Sequence, residues 1–130
     1  MTGGEILRAA LTAGSPDPTA AGDKVRQDAA DEQDIPPFII FRRVDVFRDR
    51  GIDGTLLSIK ETFHIECWGE DRAGSDLLEE QAIAALYAAD LFPDSNDPDG
   101  IDPEVKVMAA VFAVDVWTTP EVNSVETTQT

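Results

Sequence analysis

His64 and Cys67 are the chain's one histidine and one cysteine, and they are its most obvious base and nucleophile. They stand three residues apart in a stretch with period-two patterning. In a strand that spacing puts them on opposite faces, where they cannot form a nucleophile–base pair. His64 is therefore read as a surface or interface histidine, and Cys67 as a small apolar core residue. The segment Asp94–Glu104 (DSNDPDGIDPE) raises calcium chemistry. An EF-hand loop needs oxygen ligands at positions 1, 3, 5 and 12 with glycine at 6. With Gly100 at position 6, Ser95, Asp97 and Asp99 fill 1, 3 and 5, but Lys106 stands where a bidentate glutamate belongs. The segment reads as a solvated turn loop, with an irregular calcium site as the alternative. No catalytic residue, cofactor or metal site is assigned, and the chain is not read as an enzyme.

The elements carry more information than these side chains. From Ser58 to Trp68 the chain alternates, which predicts a half-buried strand. Ile59, Phe63, Ile65 and Cys67 are assigned to one face, and Glu61, His64 and Glu66 to the other. After Gly69 the period becomes helical, with Leu78, Ala82, Ala85, Leu86 and Ala89 forming a stripe. Asp71 and Ser75 are both competent N-caps, and the helix is expected to run to about Leu91. A strand feeding directly into a long helix is a packing unit.

The rest of the chain supplies partners for that unit. Glu5–Ala13 is a short helix candidate with Ile6, Ala9, Ala10 and Ala13 at helical spacing. Ser15–Gly22 is a linker, Lys24–Gln27 a short strand, and Asp28–Asp34 an acidic loop. Pro36–Pro37 forbids helix. Phe38–Phe47 is a strand, with Phe38, Ile40, Arg42, Val44 and Val46 opposite Ile39, Phe41, Arg43, Asp45 and Phe47. Arg48–Thr55, with Gly51 and an Asp53–Gly54 pair, predicts an antiparallel hairpin that projects as an arm. Pro93–Pro103 is a turn region, and Val105–Thr118 is the last strand. The expected fold is α+β. A mixed or antiparallel sheet of about four strands carries the long helix on one face, with a short N-terminal helix. Residues 1–118 form a single domain, and 119–130 a polar, disordered tail.

Ten basic and twenty-six acidic residues give a formal net charge of −16. Such a chain repels nucleic acid and anionic membranes. No apolar run is long enough to span a bilayer. One cysteine cannot form an internal disulfide. The N-terminus has no export signature, so a soluble, cytoplasmic protein is expected. The charge is also unevenly distributed. Residues 24–60 hold seven of the ten basic residues and seven acids, for net zero, whereas residues 70–104 have net charge −10. This is either a solvated acidic face or a polar molecule whose arginine arm meets a neighbour's acidic helix and loop. The second reading makes Arg42, Arg43, Arg48, Arg50 and Asp53 candidate subunit contacts. Trp68 and Trp117 each close a strand and are open to either core packing or an interface role.

A short helix and linker precede PPFIIFRRV. A hairpin follows, then TFHIECWGED with its helix, then VMAAVFAVDVW. This order resembles the small tail-completion, or tail-terminator, proteins of long-tailed bacteriophages and prophages. Pro37 before the first long strand and the alternating strand ending at Trp68 carry the resemblance, which covers roughly residues 5–118. It implies a structural virion protein, assembled in the host cytoplasm. It further implies a homo-oligomeric, usually hexameric ring at the head-proximal end of the tail tube, between tube protein and head connector. DNA would pass through without specific binding. Asp94, Asp97, Asp99 and Asp102 would line that passage or face solvent. The alternative is a monomeric acidic mimic of nucleic acid that inhibits a basic protein; the net-neutral 24–60 segment interrupts the surface such a mimic needs.

Overall fold

A computed structural model describes residues 2–13, 18–94 and 103–119. The chain opens with α1 (Gly3–Thr12), fixed by a capping box. Thr2 Oγ1 accepts from the Glu5 amide at 3.1 Å, and the Thr2 amide donates to Glu5 Oε1 at 3.0 Å. A helix this short is marginal alone. It is held by Leu7 and Leu11, one turn apart and fully buried. The apolar stripe is thus rotated from the expected one: Ile6 and Ala10 only flank the core.

The strands are β1 (Val25–Gln27), β2 (Phe38–Arg50), β3 (Leu56–Trp68), β4 (Pro93–Asp94) and β5 (Ala110–Thr118). They form a mixed sheet in the order β1-β2-β3-β5-β4, with β1 parallel to β2 and the remaining pairs antiparallel. Four strands carry the sheet, and β4 adds only two residues at the edge. The helix α2 (Arg72–Ala88) packs on one face with α1. Leu78, Ala82 and Leu86 of α2 meet Ile39, Phe41, Phe63, Ile65, Cys67, Phe112 and Val114 in one continuous core. Phe41 and Phe63 meet edge to face within it, their centroids 5.9 Å apart.

Four local readings are corrected. The first concerns Glu61, which shares strand parity with Ile59 and Phe63 and so points to the helix face, where it is buried. Second, a bulge between Arg43 and Asp45 reverses the facing of the rest of β2. Asp45 therefore stands opposite Thr62, and Phe47 opposite Lys60, on the face away from the helices. Third, the last strand begins at Ala110, because Pro103–Met108 is a short helix, α3. Proline is well placed at a first helical position, and Glu104 suits the positive end of the helix dipole.

The fourth correction lies at the two ends of α2. Asp71 is the N-cap, accepting from the Gly74 amide at 2.7 Å. Ser75 is instead fully buried inside the helix. Its hydroxyl accepts from the Gly69 amide at 2.9 Å and donates to the Met108 carbonyl at 2.8 Å. Gly69 is forced by this closeness, because a Cβ there would collide with the backbone of Gly74 and Ser75. At the other end α2 stops at Ala88, short of Leu91. Asp90 takes a left-handed conformation (φ 61°). Its amide bonds to Tyr87 O, and that of Leu91 to Leu86 O, which is the Schellman closure.

Candidate functional site

The helix-free face of the sheet is built in cross-strand rows. Ile40 and Val111, with Glu66 between them, form a buried row. Next comes Arg42–His64–Ala113, then Asp45–Thr62–Asp115, then Phe47–Lys60–Trp117. Thr62 Oγ1 bonds to Asp115 Oδ1 at 2.6 Å. The Lys60 ammonium lies 5.8 Å from the centroids of both the Phe47 and Trp117 rings, which are themselves half exposed. Partial burial pushes the His64 pKa down against the opposing pull of Glu66, which favours the neutral ring.

The predicted contact residues divide into two groups. Arg42 Nε meets Glu66 Oε2 at 3.1 Å, and Arg43 Nη1 meets Glu61 Oε2 at 3.3 Å. Both guanidinium groups are half exposed, but each is already paired within its own chain. Trp68 stacks on Phe38 at 6.0 Å and donates from Nε1 to Glu66 Oε1 at 3.1 Å, so the fold itself uses it. The outward-facing group is Arg48, Arg50 and Asp53 on the β2–β3 ribbon, and Trp117 on β5, a residue 55% exposed. Arg48 and Arg50 make no ion pair among the described residues; Arg50 Nη1 donates to the Gly54 carbonyl at 3.2 Å. Asp53 accepts from the Thr55 amide at 3.0 Å, which holds its carboxyl below the usual range.

The ribbon runs past the end of β5, whose last partner is Ile59, so Arg50, Leu56 and the turn between them stand clear of the sheet. Ile52 at its tip is fully exposed, and Leu57 beside it half exposed. The hairpin is legible in the sequence as a projecting arm, but its glycines and charged residues draw attention away from these two aliphatic side chains. Backbone contact of Asp94 with Ala113 puts it at the sheet edge, while Asp97, Asp99, Asp102 and the 120–130 tail lie outside the described residues.

Burial drives the Cys67 thiol well above its ordinary pKa, which removes it as a nucleophile. Among the described residues no three His, Cys, Asp or Glu side chains group closely enough to hold a metal ion. No helix among them is long and apolar enough to cross a membrane. What this surface offers is contact chemistry: exposed aromatics and a projecting ribbon that carries two exposed arginines. No protein-family model, curated protein or solved structure matches the chain.

Proposed function

We propose that this chain is a ring-forming tail-completion protein of a phage or prophage, which ends tube polymerisation and joins the tail to the head connector. The observation that carries the reading is the order of elements along the chain: short helix, long hairpin, long helix, closing strand. Polarity supports it. Arg48 and Arg50, which make no ion pair among the described residues, stand on the ribbon, while α2 and the turn before it carry Glu70, Asp71, Asp76, Glu79 and Glu80. A molecule with unlike ends associates head to tail, and head-to-tail contacts close into rings when the rotation permits.

The protein binds DNA weakly or not at all, since its net charge of −16 repels phosphate. That charge alone equally suits a monomeric mimic of nucleic acid, but Arg42 and Arg43 interrupt the acidic surface that such a mimic requires. The test is to add the purified protein to the polymerising tube protein of the same phage. Shorter tubes, each closed at one end by a ring in electron micrographs, are the expected result. Unchanged tube lengths and bare ends would refute the proposal.

A further inference from the structure

Ile52 is displayed by a well-built turn. The Gly51 amide donates to Thr55 O at 2.8 Å and the Gly54 amide to Gly51 O at 3.0 Å, and the Asp53 carboxylate and the Arg50 guanidinium add the two bonds already described. A branched aliphatic group held out by such a loop loses little conformational freedom on docking. At the opposite end of β3 lies a cavity of about 190 Å³. Ala20, Pro37, Gly69, Gly74, Leu77 and Leu78 give it apolar walls, and Glu70 and Asp71 an acidic rim. Leu77 is half exposed there, with Leu78 buried behind it. The volume accommodates one isoleucine side chain.

Tip and cavity are joined by the 13 residues of β3, a span of about 40 Å at ~3.3 Å per residue. At that span the ribbon tip cannot reach the cavity of its own chain, so a tip that enters it comes from a second copy. We infer that Ile52 of one subunit enters the Leu77/Leu78 cavity of the next, with Arg48 and Arg50 set against Glu70 and the acids of α2. The contact is heterologous, with tip and cavity on different surfaces, so each subunit uses one of each. This inference deepens the ring proposal and rests on it.

Ile52→Asp and Leu77→Asp test it, both at exposed positions where the fold is retained; unchanged thermal melts verify that. Each variant alone should raise the dissociation constant of self-association roughly 30-fold or more, as a hot-spot change does. An equimolar mixture leaves one intact tip facing one intact cavity. It should form a dimer of twice the 14.1 kDa subunit mass and nothing larger. Wild-type assembly by Ile52→Asp would overturn the docking while leaving the ring proposal standing, and a mixture without dimers would overturn it too. A wild-type chain that is monomeric throughout would instead remove the ring proposal beneath it.

Discussion

The Glu61 carboxylate lies between the first turn of α1 and the Arg43 guanidinium, accepting from the Gly3 amide at 3.1 Å. Removing it strands a buried donor and a cation together. Glu61→Ala should cost about 1–3 kcal/mol in chemical denaturation, and Gly3→Ala should also destabilise, because its Cβ would run into that carboxylate. Polarity alone places Glu61 on the solvent face, whereas strand parity places it with Ile59 and Phe63 on the helix face. A lone glutamate among Ile59, Phe63 and Ile65 is a signal of a buried, paired acid once parity is kept. Asp90 offers the opposite test. Glycine suits its left-handed backbone better, so Asp90→Gly should stabilise by roughly 0.5–1 kcal/mol. Asp34 receives the Arg26 Nε at 3.1 Å, and that hydrogen bond lowers its pKa. A lowered folded pKa contributes stability above the unfolded carboxyl value of ~3.9 and loses it as pH falls through the folded one. The stability gap between wild type and Asp34→Asn should therefore narrow in acid. A gap constant from pH 7 down to 2 would show that the pair contributes nothing.

Among the elements, α2 and the core half of β3 were the most legible, since both show an undisturbed period against one core. Leu86 is fully buried at their contact. Leu86→Ala should cost about 2–5 kcal/mol, and a loss under about 0.5 kcal/mol, the level of a surface change, would mean that the helix face is wrongly assigned. Two features escaped the sequence because they break a period. The Val44 bulge reverses β2 where composition gives no sign, and α3 is too short for helical periodicity to compete with the apolar run 107–114. Pro103 was the usable clue there, read as a turn residue rather than as a helix opener. The ribbon was legible as an arm from Gly51 and Asp53–Gly54. Among the described residues its strands pair only with each other beyond Ile59, so amides from Asp49 to Leu57 should exchange faster than those of Phe63–Cys67. Equal protection along β3 would show that the arm is not a separate element.

For the whole molecule, the α+β architecture with helices on one face followed from the order of periodicities. What single residues did within it did not. Trp68 and Trp117 look alike in sequence, yet one is stacked on Phe38 and the other is open to solvent. Arg42 and Arg43, candidate contacts between subunits, are paired inside the chain, whereas Arg48 and Arg50 on the ribbon make no ion pair among the described residues. The central claim is that the subunits close into a ring. Sedimentation equilibrium over a range of protein and salt concentrations tests it most directly. The account predicts one closed species whose mass is a fixed multiple, six by the resemblance, of the 14.1 kDa subunit, loosening as salt screens its charged contacts. A single 14.1 kDa species at every concentration and salt would contradict it.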